Sequence, residues 1–599
     1  MSRNILVAVA WPYASADIHV GNITGSYLPA DIFARYHRLA GNQVLMVSGS
    51  DSHGTPVMVK AEEQETTPLE VYQRYHAEFL ELFQKVGLSY DLFTSTHTEN
   101  HFEVSQTIFE ALHKNGYLYT EIQEQWYSKS QERFLPDRYV EGTCYICGYE
   151  KARGDQCDKC GTLLEANELI DPRSKMDGST PVLRETEHFN LDLSQLEDAV
   201  LEFLEKRQDY WRANVVKQSL GWIKSEGLRG RPITRDLKWG IPVSIEDDED
   251  GYWEGKCLYV WFEAVIGYLA AAIEWAKING DGKEWHDWWY NPDSRTYYFI
   301  GKDNIPFHAI MWPAQLHGVG EKFGELFEGR EGARLNLPYD VPANEFMNME
   351  GRKISGSANW GVWGLDFLSR YDPDPLRYYL TINMPETRDT DWDWDEFVAR
   401  NNNELVANWG NLVNRVLSFA YKNWEGVVPT PKELRPIDEE IIAKIEAGFE
   451  TVGEYIDNIK LRHALNEAMR LASKVNKYID ETAPWFEIKT DKDAAATTIY
   501  TALRAIDSLK IMFAPFLPFT SEKLHTMLGY TEPLFGQQTV GTQQDDLGEH
   551  TVLQYVPDNA SGRWEPSWPD SGYEFRKPQP LFEKLDASIA DDERARLGR

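Results

Sequence analysis

The sequence predicts an α/β protein in which a doubly wound parallel sheet is split by a zinc-bearing insertion and followed by an α-helical bundle. Three observations carry that expectation. Ile5–Ala10 and Val44–Ser48 are short unbroken apolar runs, suited to parallel strands buried on both faces, with a helix expected from about His19 to His37 between them. The strand–helix alternation then stops and resumes with Leu258–Phe262, Tyr297–Ile300 and a helical stretch over Ile305–His317. Beyond Tyr371 the spacing changes. Val398, Leu405, Trp409, Leu412, Val416 and Phe419 recur on one helical stripe, and further helices are expected near 438–459, 462–480 and 494–512. Gln537–Asp570, rich in Gly, Gln, Asp, Ser and Pro, reads as loop or linker, and Leu581, Phe582, Leu585 and Ile589 read as a tail that packs back.

Size and charge bound the rest. A chain of 599 residues suggests about three to five domains. Apolar residues are 42% and charged residues 26%, which excludes fibrous and wholly disordered classes. No apolar run approaches the roughly 20 residues of a membrane helix. Lys and Arg number 61 against 95 Asp and Glu, so a non-specific nucleic-acid coat is excluded, although a local basic stripe is not. Five cysteines cannot staple so long a chain, and a soluble protein of a reducing compartment is expected.

Four stretches can carry chemistry. His19-Val20-Gly21-Asn22 stands where the first strand's loop meets a helix, so its backbone N–H groups and imidazole suit a phosphate; taken alone, these four residues read more readily as an ordinary helix start with a packing glycine. Arg352-Lys353-Ile354-Ser355-Gly356-Ser357 is a cationic loop able to wrap a polyphosphate, or a solvated basic turn. Cys144-x-x-Cys147-Gly and Cys157-x-x-Cys160-Gly, nine residues apart, place four thiolates for one tetrahedral structural Zn²⁺, with a redox pair the weaker alternative. Asp51 and Asp303 follow the C-terminal ends of expected parallel strands, where a carboxylate can hold an ammonium or ribose hydroxyls, or merely cap a helix. Tyr259–Tyr268 supplies aromatics for an apolar pocket or for core.

The order of these pieces resembles a class I aminoacyl-tRNA synthetase. Ala10-Trp11-Pro12-Tyr13, Asp51-Ser52-His53-Gly54-Thr55-Pro56, Tyr259–Tyr268, Gly301-Lys302-Asp303, Phe307-His308, Leu376-Arg377-Tyr378-Tyr379 and Ala483-Pro484-Trp485 narrow it to the methionyl-tRNA synthetase family, in its archaeal and eukaryotic-like branch. The resemblance implies a Rossmann-type catalytic domain at 1–115 and 231–340. It places a connective insertion at 116–230 with its zinc knuckle near 140–165. A signature-loop and stem-contact region follows at 341–395, an anticodon-binding bundle at 396–536, and a linker and tail at 537–599. It implies ATP-dependent activation of L-methionine, with Mg²⁺, and transfer to tRNA(Met), initiator included. His19, Gly21, Asn22, Asp303, Arg352, Lys353 and Ser355 would serve ATP, with His19, Asn22 and Lys353 catalytic. Tyr13, Asp51, Arg235, Trp261, Ala264, Tyr268, Phe307 and His308 would hold methionine. Asn411, Arg415 and Trp485 would read the anticodon. A cytoplasmic monomer that binds no membrane is expected.

Three departures stand out against the family pattern. Gly356 occupies the place of a second lysine, Pro172–Pro181 lacks a second cysteine knuckle, so one zinc is expected, and Trp11 replaces a smaller residue. The competing readings are a class I synthetase for another amino acid and a non-catalytic tRNA-binding relative.

Overall fold

The computed structural model describes residues 2–136, 139–153, 157, 159, 168–245, 251–356 and 358–598. The first apolar run forms β1 (Asn4–Val9), and its Ile5–Val9 are wholly buried. β2 (Gln43–Ser50) and β3 (Leu92–Ser95) follow, and β4 (Arg295–Gly301) and β5 (Ala343–Asn344) come after the insertion. They lie in the order β5-β4-β1-β2-β3, all parallel, with Val7 opposite both Met46 and Tyr297. Strands covered on both faces need apolar residues on both, which is why they read as unbroken runs. The chain moves outward through β2 and β3, then returns to the other side of β1 as β4. Strand order reverses between β1 and β4, and sheets of this kind leave a crevice there beyond the strands' C-terminal ends.

Between β1 and β2 the backbone is helical from Val20 to Leu39, with a π turn at Ile23–Tyr27. The insertion is built on an antiparallel ladder of Leu118–Ser128 with Val182–Leu191, beside a small sheet of Val140–Thr143, Ala152–Arg153 and Ile170–Ser174. Beyond Trp394 the chain is helical through Trp424, and Val398, Leu405, Trp409, Leu412 and Val416 are all buried. Pro436–Asp457, Leu461–Thr482 and Lys492–Phe513 pack against one another. Leu461–Thr482 stops at Ala483, which adopts a left-handed backbone (φ 43°). Pro484 enforces that stop, since the residue before a proline is driven out of the α region. No helix among the described residues is long and apolar enough to cross a membrane.

Two expectations are corrected. Leu258–Phe262 is not one strand: only Cys257–Leu258 pairs, and Val260–Glu263 opens a helical run reaching Asn279. A short apolar run fits a buried helix as well as a strand. The segment read as linker from Gln537 holds a hairpin, β6 (Gln537–Asp545) and β7 (Gly548–Val556). β7 pairs antiparallel with β3 through Leu553 and Phe93, extending the sheet to seven strands. Its buried apolar residues are Val552, Leu553 and Tyr555, while the Gln-rich β6 forms the exposed edge, where polar residues discourage further pairing.

Candidate active site

The crevice gathers the two phosphate-type motifs, His19–Asn22 and the loop from Arg352. His19 caps the helix: its Nδ1 accepts the Asn22 N–H (3.3 Å), and the Asn22 side chain accepts the His19 N–H (3.1 Å). Nδ1 therefore carries no proton, and burial lowers the ring's pKa to about 4, leaving a neutral imidazole whose Nε2–H is free to donate. The later loop is laid against this corner. Val20 N–H donates to Val362 O, Gly364 N–H donates to Ile18 O (both 2.9 Å), and Trp363 sits edge-on to the His19 ring. A Cβ on Gly21 would meet the His19 ring at 2.9 Å and Ile354 at 3.2 Å, so only glycine lets the loop come this close.

Within that loop Ser355 pairs with Trp360 through the backbone, and Arg352 stacks over the Trp360 ring at 4.1 Å. Lys353 is exposed and, among the described residues, makes no ion pair. Lys302, by contrast, is held by Glu345 and Asp389 (both 2.7 Å). The charges of both lysines act on Asp303, which lies exposed just past β4. A Cβ on Gly356 would touch only Trp363, at 3.8 Å, so the position has room for a side chain.

Asp51 follows β2 on the other side of the crevice. Its backbone is pinned by Asp51 N–H to Pro12 O (2.8 Å) and Ala14 N–H to Asp51 O (2.9 Å). Among the described residues its Oδ1 is buried without a hydrogen-bond partner, and burial together with the nearby Glu263 carboxylate raises its pKa well above the usual carboxylate range. A buried carboxylate with one oxygen unpartnered is costly to ionise, and a cationic ligand offsets that cost. Beside it Trp261 Nε1 donates to the Tyr13 hydroxyl, and Trp261 and Phe307 meet edge-to-face at 4.6 Å. Tyr268 OH lies 2.7 Å from His308 Nε2, while His308 Nδ1 donates to Asn304 O (2.9 Å), so Nε2 accepts from the tyrosine. Ala264 lies half-buried on the turn after Trp261. Arg235 stacks on Tyr259 (4.1 Å) and bonds to Thr234 O (2.9 Å); among the described residues it forms no ion pair with Asp51. Trp11 packs across Gly49 and Gly267, where a Cβ would fall 2.1 Å and 2.6 Å from its ring.

In the insertion the Sγ atoms of Cys144, Cys147 and Cys157 lie within 4.8 Å of one another, Cys147 and Cys157 being 3.6 Å apart. Tetrahedral thiolates about 2.3 Å from zinc stand about 3.8 Å apart. Cys160 lies outside the described residues. Cys257 is buried elsewhere, its thiol donating to Leu237 O.

Residues 5–417 match the family model for class I tRNA synthetases (M), and residues 428–559 match the anticodon-binding domain of methionyl tRNA ligase. A methionine–tRNA ligase of Thermomicrobium roseum is 54% identical over 599 residues, covering 100% of this chain and 99% of that protein. One from Roseiflexus castenholzii is 51% identical with the same coverage. The chain belongs to the class I methionyl-tRNA synthetases. The solved structure of the Mycobacterium tuberculosis methionyl-tRNA synthetase with methionyl-adenylate shares this synthetase's fold, with TM-score 0.74 at 23% identity over 97% of this chain and 100% of that one.

On the synthetase's bundle, Asn411 and Arg415 begin the helix Asn411–Trp424. Arg415 sits 5.0 Å over the Trp485 ring and pairs with Asp480 (2.7 Å), so the three expected residues share one face. Trp485 is half-buried against the core, and Phe486 beside it is 65% exposed, an aromatic that the sequence reading missed. Near the crevice that reading also missed a buried polar cluster. Glu263 takes His53 Nδ1 and His101 Nε2 (both 2.8 Å), and His53 Nε2 meets His97 Nδ1 (3.1 Å). An acid inside the apolar stretch Tyr259–Tyr268 was the available signal, since such a residue must be paired when buried.

Proposed function

We propose that the chain performs its family's reaction, methionine–tRNA ligation, with the two sides of the crevice in separate roles. Asp51 takes the methionine ammonium, and the Tyr13–Trp261–Phe307 edge with Tyr268 and His308 forms the slot for the unbranched thioether, which gains from sulfur–aromatic contact. Ala264 leaves room in that slot, and Arg235 lies at its margin. Asp303 takes the ATP ribose, with His19, Gly21, Asn22, Arg352, Lys353 and Ser355 along the phosphates. ATP enters as its Mg²⁺ complex. A methionine carboxylate oxygen attacks the α-phosphorus in line, its bond to pyrophosphate breaks, and the terminal ribose hydroxyl of tRNA(Met) then displaces AMP. Lys353 and the neutral His19 Nε2–H stabilise charge on the phosphates. The observation that carries this reading is the Asp51 oxygen left, among the described residues, without a partner beside an aromatic slot. Exchange of labelled pyrophosphate into ATP, run across the amino acids, tests it: methionine alone should support exchange, and a non-catalytic binder would show none.

Asn411, Arg415 and Trp485 read the anticodon on this proposal. Trp485→Ala should weaken charging of tRNA(Met) by about 1–3 kcal/mol and leave methionine-dependent exchange unchanged. A fall in both would make Trp485 a folding residue. Cys144, Cys147, Cys157 and Cys160 hold one Zn²⁺, which shapes a module too small to own a core. Metal analysis should find about one zinc per chain in all-cysteine tetrahedral ligation. A metal-free active enzyme, or a bound water in the shell, would refute it. A cytoplasmic monomer is part of the same proposal, and sedimentation tests its size.

A further inference from the structure

The hairpin that ends the family's anticodon-binding match pairs with β3, the strand next to β2, at whose end Asp51 sits. Several bonds fasten it there. His550 Nε2 meets Glu274 Oε1 (3.0 Å), and Glu274 also accepts the Thr94 hydroxyl (2.9 Å). Asp545 accepts the Glu99 N–H (2.8 Å), and Val552 and Leu553 are fully buried.

One side chain connects this hairpin to the strand end. His76, on the helix Pro68–Val86, places Nε2 2.7 Å from Thr551 O and Nδ1 2.7 Å from Ser50 Oγ. A carbonyl only accepts, so Nε2 carries the proton. Burial keeps the ring neutral, with a pKa of about 4, so Nδ1 is bare and accepts from the Ser50 hydroxyl. A hairpin carbonyl thus sets the tautomer of a histidine that orients the residue immediately before Asp51. The rest of the turn is held as tightly. Thr96 N–H donates to Ser50 O (3.0 Å), Ser52 N–H donates to Thr96 Oγ1 (2.9 Å), and Ser52 Oγ lies 2.8 Å from Ser95 Oγ.

We propose that His76 is a positioning residue for methionine binding, fixed between the hairpin's Thr551 carbonyl and the Ser50 hydroxyl, and that the hairpin thereby acts as part of the amino-acid site. The proposal rests on the reading of Asp51 as the ammonium ligand. Its signature is selective. Asp303, His19 and Lys353 stand on other segments, so loss of the link moves methionine affinity and leaves ATP affinity alone.

Methionine-dependent pyrophosphate exchange on the full chain provides the test. His76→Phe fills the site without hydrogen bonds and should raise the methionine KM about tenfold, with the ATP KM within about twofold. Ser50→Ala should raise it in the same direction, and the double variant should add little, because both changes break one chain of contacts. His76→Asn keeps an acceptor near Ser50 but cannot reach Thr551, and it should not restore the wild-type value. Recovery by His76→Asn would show that the hairpin contact is idle. A wild-type methionine KM in His76→Phe, or equal rises in both KM values, would overturn the proposal. If His76→Phe does not fold, Ser50→Ala decides on the same criterion. Wild-type enzyme without methionine-dependent exchange would instead refute the functional reading.

Discussion

Lys353→Ala should lower the single-turnover rate of methionyl-adenylate formation by about 10²–10³, or about 3–4 kcal/mol, with little change in ATP affinity. The expectation comes from the two lysines beside Asp303. Lys302 is already neutralised by Glu345 and Asp389, while Lys353 is exposed and unpaired among the described residues. Arg352 is stacked on Trp360 and cannot take over without leaving that ring. Gly356 lies nearby with ordinary backbone and only Trp363 within 4 Å of a Cβ. Gly356→Lys should therefore fold normally, be neutral or mildly activating alone, and partly rescue Lys353→Ala. Rates of both single variants and the double variant measure this. An unchanged rate in Lys353→Ala would remove the loop from catalysis, and a slowed Gly356→Lys would show that glycine serves loop closure instead.

Asp51→Asn should raise the methionine KM by about 30- to 1,000-fold, the effect of about 2–4 kcal/mol for breaking a buried charge pair. The free protein should not suffer. Burial and Glu263 raise the Asp51 pKa, so the charged carboxylate is disfavoured in the fold, and its contribution to stability falls as pH rises above the unfolded-state value. Removing that charge should leave thermal stability at neutral pH equal or higher. The same shift gives a pH dependence. Methionine binding needs the carboxylate ionised, so the wild-type methionine KM should climb as pH falls through the raised pKa, and Asp51→Asn should lack that limb. A methionine KM unchanged by Asp51→Asn would place the ammonium elsewhere.

Local motifs were legible wherever a short stretch carries its own physics. The helix start at His19 and the Cys144–Cys147 pair each follow from residues adjacent in sequence. The apolar stripe from Val398 to Val416 was equally plain, because helical periodicity repeats over many turns. Leu258–Phe262 was misread because five apolar residues fit either a buried strand or a buried helix, and only the packing of Val260–Asn279 separates them. The hairpin was missed for the opposite reason. β6 is polar, and β7 pairs with Phe93 from the far end of the chain through a few apolar residues, too short a run to announce a strand.

The sequence by itself determined the parallel-strand start and the helical bundle, and it set two cysteine pairs in the insertion. Those features depend on neighbours within a few residues, where sterics, capping and periodicity act. Only the tertiary structure decided that Ile354 comes to rest on Gly21, and that among the described residues Lys302 has an ion-pair partner while Lys353 and one Asp51 oxygen do not. It also decided that Thr551 faces His76. Each of these is a contact between segments tens to hundreds of residues apart. Which polar groups end up paired, buried or free is settled by how the whole chain packs, and that balance sets which groups can act.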